Sequence, residues 1–196
     1  MSLLPRDDGH TLLTPDEEAE LIPSLVTRGD LNEWERLNIL EAARWALSPR
    51  SLSRIDPVSE NYLRDLHRRM FDETWKWAGR YRSTEKNIGI DSYRIRDSLG
   101  GLLGDVRYWL EHKTFSADEI AVRLHHRLAF IHPFSNGNGR HARLMADVVA
   151  RRQGQPIFTW GSGGIVSAGE IRKRYIDALH AADGNDLRPL VAFARS

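Results

Sequence analysis

The residues best suited to chemistry lie in one segment, 132–143, which combines a histidine, two alternating glycines and two arginines. A histidine can accept a proton from a hydroxyl at neutral pH. Two guanidinium groups three residues apart on a helix can project from one side toward phosphate oxygens. These types and spacings predict a phosphate-binding site beside a general base, formed by His132, Gly137, Gly139, Arg140 and Arg143.

Two helices are predicted to flank this segment. The first opens on the capping box Ser116-x-x-Glu119 and should run to about Ile131. Its apolar positions recur at four-residue spacing, at Ile120, Leu124 and Leu128. The second has one apolar face, formed by Leu144, Met145, Val148 and Val149, and ends before Gly154-Gln155-Pro156. The loop therefore leads into a helix N-terminus, where free amide groups and the helix dipole favour a bound anion such as phosphate.

Individual residues of the loop have separate expected roles. His132 closes the first helix and is placed to take a proton from an attacking hydroxyl. Gly137 and Gly139 allow unusual backbone torsions and a close approach of the backbone to a ligand. Pro133 prevents the first helix from continuing, and Phe134 is expected to anchor the loop in the core. A P-loop is excluded because no Gly-Lys-Ser/Thr follows the glycines.

Three other residues near this segment have two interpretations each. His125 and His126 could form a metal site with His132, but no acidic ligand pattern accompanies them, so helix-core and helix-surface roles are favoured. The ring of Tyr175 could line the pocket of a nucleotide base or could simply be buried in the core. The sequence leaves both roles of Tyr175 open.

The composition indicates a soluble globular protein. The chain has 196 residues, enough for one domain with a real core. It carries 28 basic and 27 acidic residues, so its net charge of +1 gives no reason to expect a nucleic acid or an acidic membrane as a partner. It has no cysteine, no apolar run long enough for a membrane span and no signal-peptide pattern at its start. A cytoplasmic protein is the simplest expectation.

The remaining sequence predicts further helices. A short helix should start at Thr14-Pro15, and an amphipathic helix should follow with a common apolar side, formed by Leu31, Trp34, Ile39, Ala42, Ala46 and Leu47. The next helix should begin at Asp56-Pro57 and continue to Trp77, with Gly79 ending it. Another helix should cover residues 99–110.

Residues 83–96 have a different pattern. Ile88, Ile90 and Ile95 alternate with polar residues, which predicts a short β-hairpin. We therefore predict an all-α bundle that carries one small β-hairpin. Its expected organisation is an N-terminal extension, residues 1–50, with one amphipathic helix, followed by a core domain, residues 51–196.

The segment 132–143 resembles the signature of the Fic family, His-x-Phe-x-(Asp/Glu)-(Gly/Ala)-Asn-Gly-Arg-x-x-Arg, at every defined position but one. The resemblance extends over residues 55–195. It includes Leu66-His67, Trp75-Lys76-Trp77-Ala78-Gly79-Arg80 and Ala182-Asp183-Gly184-Asn185. With the leader Thr27-Arg28-Gly29-Asp30-Leu31-Asn32, it is most similar to the bacterial branch called mobile mystery protein B.

This resemblance implies a nucleotidyltransferase that moves AMP, or another nucleoside monophosphate, from a nucleoside triphosphate such as ATP to a Ser, Thr or Tyr hydroxyl of a target protein. His132 would be the general base. Amides around Gly137 to Gly139 would stabilise charge on the α-phosphate, which Asn138 would orient. Arg140 and Arg143 would hold the β- and γ-phosphates.

The resemblance also implies a role for the predicted hairpin. In the family this hairpin, the flap, lies over the active site and aligns the target segment by strand addition. Ile88, Gly89 and Ile90 would form its target-docking part.

The position that departs from the signature is Asn136, where most family members with this activity have Asp or Glu. In the family that carboxylate helps to hold the Mg²⁺ bound to the nucleotide phosphates. An amide oxygen can ligate a hard cation but brings no negative charge. The resemblance therefore implies Mg²⁺ beside Asn136, bound more weakly than by a carboxylate.

Two further functions stay open at this point. One is a catalytically weak Fic fold that binds a nucleotide or a partner protein as the toxin half of a two-gene module. The other is a Fic enzyme that transfers a different phosphate-containing group. The inhibitory motif of many relatives, Ser/Thr-x-x-x-Glu-Gly/Asn, is absent, because Asp56 precedes Glu60-Asn61 where Ser or Thr is required. Inhibition by a partner protein, by a divergent N-terminal helix or by neither remains possible.

Overall fold

A computed structural model of the protein describes residues 11–24, 27–162 and 168–196. Its helices are α1 (Pro15–Glu18), α2 (Arg28–Ala46), α3 (Pro49–Arg54), α4 (Glu60–Phe71), α5 (Ile95–His112), α6 (Ala117–Ile131), α7 (Asn138–Arg152), α8 (Ala168–Asp183) and α9 (Arg188–Arg195). Within the described ranges, β-pairing is limited to two isolated bridges, Leu21 with Trp75 and Tyr81 with Phe134. The predicted all-α class is confirmed. None of the described helices combines the length and apolar character needed to cross a membrane.

The centre of the molecule is the packing of α6 against α7, the two helices predicted on either side of the chemistry-bearing loop. Both bury apolar side chains almost completely, among them Leu124, Leu128, Ile131, Met145, Val148 and Val149. Each such side chain contributes about 1.5–3 kcal/mol of burial free energy. The loop between the two helices, residues 132–137, is thus held at both ends by the best-packed part of the fold.

The buried His67 holds the loop 132–137 in position by two contacts. His67 on α4 stacks on Phe134, with ring centroids 3.6 Å apart. The N–H of Gly79 donates to Nδ1 of His67 at 3.0 Å, so Nε2 carries the proton and donates to the carbonyl of Asn136 at 3.1 Å. Burial holds the pKa of His67 well below its ordinary value, which keeps the ring neutral for this pair of bonds. The loop, α4 and the Gly79 turn are therefore connected through one side chain.

Helix α4 is shorter than predicted. The periodicity suggested a helix to Trp77, but α4 ends at Phe71. The backbone at Trp75 instead forms an antiparallel bridge with Leu21, which requires an extended rather than a helical conformation. Pairing with a segment more than fifty residues earlier overrides the local helical pattern.

The predicted β-hairpin over 83–96 is not formed. Residues 83–91 are an irregular loop, and α5 begins at Ile95, earlier than expected. The guanidinium group of Arg82 lies inside this loop and donates to the carbonyl groups of Thr84 at 3.0 Å, of His132 at 2.7 Å and of Ile90. The Arg82 side chain therefore donates the hydrogen bonds that these loop carbonyl groups would otherwise need from a paired strand.

Helix α2 exists as predicted. Most of its predicted apolar side faces the core: Leu31, Ala42 and Ala46 are buried, and Ile39 and Leu47 pack against the core. Trp34 is the exception, at 43% exposed. The same side also buries Glu35 and Asn38, which the apolar pattern did not identify. The amide of Asn38 bonds the backbone at Arg69 and Glu73, both at 3.3 Å, and burial of a polar group is tolerated where its hydrogen bonds are made.

Candidate functional site

A cavity of about 1070 Å³ opens between α2, α6, α7, α8 and the loop 82–91. The structure brings nearly every predicted site residue to its wall: His132, Asn136, Gly137, Asn138, Gly139, Arg140, Arg143, Tyr175, Ile88 and Gly89. Ile90 is the exception, since it does not line the cavity and contributes its carbonyl to Arg82 instead.

His132 lies at the C-terminal end of α6 in the left-handed conformation, with φ of 54°. Its Nδ1 lies 3.4 Å from the carbonyl of Ala129. A carbonyl can only accept, so this contact places the proton on Nδ1 and leaves the lone pair on Nε2. Burial lowers the pKa of His132 to about 4, and the positive charges of Arg82 and Lys86 act in the same direction. At neutral pH the imidazole is therefore neutral, and its Nε2 is ready to accept a proton.

The backbone of the loop 82–91 closes tightly over this histidine. Gly89 has φ of 103°, and a Cβ added there would lie 2.5 Å from Cβ of His132. Only glycine allows such an approach. The imidazole is thus confined between this loop and the end of α6, while Nε2 faces the cavity.

Only one of the two motif glycines has an unusual torsion. Gly137 has φ of 75°, and an added Cβ would meet Cζ of Phe71 at 2.3 Å. Gly139, for which an unusual torsion was also expected, lies in the first turn of α7, and its added Cβ would meet only the hydroxyl of Tyr175 at 3.8 Å. That expectation was wrong, because the helix begins one residue earlier and imposes ordinary torsions. Gly139 leaves open space at the cavity wall instead.

Helix α7 presents free backbone N–H groups to the cavity. Gly137 is its N-cap and offers no side-chain hydrogen bond to the first amides. The side chain of Asn138 turns away from them, because its Oδ1 accepts from the N–H of Phe134 at 2.9 Å and its Nδ2 donates to the carbonyl of the same residue at 2.8 Å. Uncapped amides at a helix N-terminus, next to two arginines, are suited to an anion.

The two arginines have different surroundings. Arg140 forms an ion pair with Glu35 of α2, at 2.6 Å between Nη1 and Oε2. The guanidinium of Arg143 lies over the ring of Tyr175, 4.4 Å from its centroid. The Nε of Arg143 is buried and has no hydrogen-bond partner among the described residues. Arg143 lines the cavity, so its guanidinium group is placed near any anion bound there.

Tyr175 is partly buried and also lines the cavity, so its position is compatible with both roles that the sequence left open. Its ring is partly buried between Arg143 and Phe193, yet it lines the cavity. Its hydroxyl contacts Nε2 of His125 at 3.1 Å. His125 is fully buried, and His126 pairs with Asp183 at 2.8 Å, so the core and surface interpretations of these histidines fit the structure.

The oxygen donors near Asn136 do not form a magnesium site by themselves. Oδ1 of Asn136 accepts from the N–H of Gly137 at 2.6 Å. Over residues 11–24, 27–162 and 168–196, no three His, Cys, Asp or Glu side chains are grouped to hold a metal ion. Mg²⁺ is normally held by one or two carboxylates together with substrate phosphates. Glu35, which also lines the cavity, is paired with Arg140. The described residues therefore do not gather the carboxylates that Mg²⁺ prefers around Asn136.

Three contributors to the site were not predicted from the sequence: Thr11, Glu35 and Arg82. The hydroxyl of Thr11 lies 2.7 Å from Nε2 of His132. Glu35 is only 4% exposed and accepts from Nε1 of Trp75 at 2.8 Å as well as from Arg140. A glutamate placed four residues after Leu31 on the buried side of α2 is a signal that an apolar criterion discards. Thr11 and Arg82 carry no such signal.

Comparison with known proteins shows what the fold and this site resemble. The model of the Fic/DOC family matches residues 57–150, so this segment is similar to that family. "Protein adenylyltransferase fic-1" of Caenorhabditis elegans is 30% identical over 192 residues, which are 95% of this chain and 36% of that protein. "Protein adenylyltransferase Fic" of Aedes aegypti is 25% identical over 191 residues, 95% of this chain and 37% of that protein.

Solved structures share the fold. A structure of Fic-1 from C. elegans has a TM-score of 0.66 at 27% identity and is matched over 91% of this chain and 51% of that chain. BepC from Bartonella tribocorum, solved with bound AMPPNP, has a TM-score of 0.68 at 18% identity, over 93% and 97% of the two chains. The chain spans little more than a third of the length of the curated relatives it matches.

The two motif glycines provide a matched pair of substitutions. Gly137→Ala should lower the free energy of unfolding by about 1–3 kcal/mol, because it combines a left-handed torsion with a clash against Phe71. Gly139→Ala should be neutral or stabilising by up to about 1 kcal/mol, since alanine is favoured in a helix. Urea unfolding of both variants measures the difference. Equal losses would show that the loop conformation differs from the one described.

Proposed function

We propose that this protein is a Fic-type adenylyltransferase that moves AMP from ATP to a hydroxyl group of a protein. The observation that carries the proposal is that the neutral Nε2 of His132 and the uncapped N-terminus of α7 face the same cavity. His132 supplies a base for a hydroxyl, and the N-terminus of α7 supplies an anion site. Only one short loop separates the two along the chain. The names of the curated relatives support adenylyl as the transferred group.

In the proposed reaction, the oxygen of the acceptor hydroxyl attacks the α-phosphorus of the nucleotide. Nε2 of His132 takes the hydroxyl proton, and pyrophosphate leaves with the electrons of the broken P–O bond. The uncapped amide groups of Asn138 and Gly139, at the start of α7, stabilise the charge that develops on the α-phosphate, since the N–H of Gly137 donates to Asn136. Burial keeps the ring of His132 unprotonated at neutral pH, so its lone pair is available for the hydroxyl proton.

The other site residues are proposed to hold the nucleotide. Arg143 and Arg140 would bind the β- and γ-phosphates, and the position of both at the cavity wall supports this. Tyr175 would border the base. For Asn138 we change the expected role: its amide is occupied by the backbone of Phe134, so we propose that it shapes the loop instead of touching the phosphate.

Mg²⁺ is proposed to enter as part of the nucleotide substrate, with Asn136 offering one neutral oxygen beside it. When bound, the ion would neutralise phosphate charge. Because the protein residues alone form a poor magnesium site, no step of the proposed reaction depends on a metal held by the protein.

The finer assignments rest on the sequence resemblance. We propose a cytoplasmic bacterial protein of the mobile mystery protein B branch, with a target hydroxyl on Ser, Thr or Tyr and with no nucleic-acid partner. We also propose that the protein acts as a toxin and that a partner protein inhibits it. We keep the division into an extension, residues 1–50, and a core domain, residues 51–196, although Thr11 and Glu35 of the extension reach the cavity.

A catalytically weak nucleotide-binding protein is the second candidate. The Glu35–Arg140 ion pair favours it, because a carboxylate in the cavity competes with phosphates for the arginine. Transfer of another phosphate-containing group is the third. Incubation with a panel of labelled nucleotides, with Mg²⁺ or Mn²⁺, separates the three: transfer from ATP, no transfer despite binding, or transfer from a different donor.

His132→Ala should reduce transfer by roughly 10²–10⁴-fold, the usual contribution of a general base. The affinity for ATP should stay nearly unchanged, because His132 acts on the attacking hydroxyl and adds little to binding of the nucleotide. Radiolabel incorporation and calorimetry measure the two effects. His112→Ala, at the exposed end of α5, is the control. Wild-type transfer by the His132 variant would contradict the assignment of the base.

Glu35→Gln tests competition for Arg140. Removing the charge should raise the affinity for ATP by about 1 kcal/mol, below the full value of a charged hydrogen bond because the Arg140 side chain is 39% exposed. Glu33→Gln is the matched control, since Glu33 pairs with Arg36 on the exposed side of the same helix. Calorimetry with ATP gives the comparison. Weaker binding by the Glu35 variant would mean that Glu35 holds Arg140 in place for the ligand.

A further inference from the structure

The segment 11–22 crosses the mouth of the cavity and is fixed there by specific contacts. Glu17 forms an ion pair with Lys86, accepts from the hydroxyl of Thr84 at 3.0 Å, and its carbonyl accepts from Nε1 of Trp77 at 3.2 Å. The Lys86 side chain is 1% exposed, so this pair is shielded from solvent on one side. The segment therefore has a defined position relative to the catalytic loop, and Thr11, Leu12 and Leu13 line the cavity.

Thr11 lies where an acceptor hydroxyl is needed. Its Oγ1 is 2.7 Å from Nε2 of His132, within the range for proton transfer to a general base. The next residue is held at both backbone groups, since the N–H of Leu12 donates to Oδ1 of Asn87 at 3.3 Å and its carbonyl accepts from Nζ of Lys86 at 2.9 Å. The loop 82–91 thus aligns an extended segment by side-chain hydrogen bonds, in place of the expected strand addition.

The other threonine of this segment, Thr14, uses its hydroxyl for a different purpose, so the contact with His132 is specific to Thr11. The hydroxyl of Thr14 caps α1 and accepts from the N–H of Glu17 at 3.3 Å, which is a purely structural use. Among the described residues, the hydroxyl of Thr11 caps no helix. Its partner is the lone pair of the buried, neutral imidazole, which can only receive its proton.

From this geometry we infer that Thr11 is an acceptor for the protein's own transfer reaction, so that the chain modifies itself at this residue. The inference rests on the proposed function. Oγ1 of Thr11 forms a bond to the α-phosphorus of ATP, and the bond from that phosphorus to the bridging oxygen breaks. The hydroxyl proton passes to Nε2 of His132, and pyrophosphate leaves. Because the acceptor belongs to the same chain as the base, the reaction is intramolecular and adds one adenylyl group at this position.

The test uses the full chain with α-labelled ATP and a divalent cation, followed by mass spectrometry of its peptides. The wild type should carry the adenylyl mass on the peptide that contains Thr11, with a rate constant independent of protein concentration. Thr11→Val should lose this label, and Thr11→Ser should keep it. Ser24→Ala removes an exposed hydroxyl from the same part of the chain and should label like the wild type.

A parallel incubation with lysate separates failure of this inference from failure of the proposed function. If other proteins are labelled while Thr11 is not, self-modification at Thr11 is wrong and the transferase stands. If the label is on the protein itself but survives Thr11→Val, the acceptor is a different residue and the inference is also wrong. If ATP binds without pyrophosphate release or label on any protein, the proposed function fails and the inference fails with it.

Discussion

The arrangement on which the site depends is the burial of the His132 imidazole in a neutral form at the left-handed end of α6. Burial lowers its pKa to about 4. The carbonyl of the same residue is held by Arg82, and Gly89 presses against its Cβ. These contacts enclose the ring, which still lines the cavity. The buried position therefore keeps the imidazole unprotonated, as a general base requires. Among the described residues, its ring contacts are Thr11 and Ala129 rather than a carboxylate.

The phosphate side of the site is held by a separate set of contacts on the same loop. His67 connects Phe134 and the carbonyl of Asn136 to α4, while the side chain of Asn138 closes the loop on itself. The uncapped amides of α7 follow directly, from Asn138 onward. Base and anion site are therefore fixed relative to each other by one short loop between two well-packed helices, which is the constraint that in-line transfer to a phosphorus requires.

The N-terminal part of the chain adds two features that change how the site is understood. Glu35 neutralises one of the two motif arginines, and Thr11 occupies the hydroxyl position opposite His132. Both are polar contacts made at large separation along the chain. In the proposed account, the two features act differently: Glu35 competes with the nucleotide phosphates for Arg140, and Thr11 supplies an acceptor from the same chain.

The helices next to the loop could be predicted because their information is local: a cap, an apolar period and a glycine or proline end. The site residues on them, His132 to Arg143, followed from residue type and spacing. The hairpin was wrong because Arg82, buried in the loop, takes over the hydrogen bonds of strand pairing. Trp75 left the predicted helix because Leu21 pairs with it. Glu35 and Thr11 were missed because their roles exist only through partners more than a hundred residues away, which no local pattern encodes.

The most direct test of this account is the protonation state of His132, measured by ¹⁵N NMR of the imidazole with assignment from His132→Ala. We expect a neutral ring with its proton on Nδ1 at pH 7. Since the pKa is lowered, the ring should stay neutral as the pH falls and become charged only near pH 4. A ring that is charged at pH 7, or that carries its proton on Nε2, would contradict the account, because Nε2 would then have no lone pair for a hydroxyl proton.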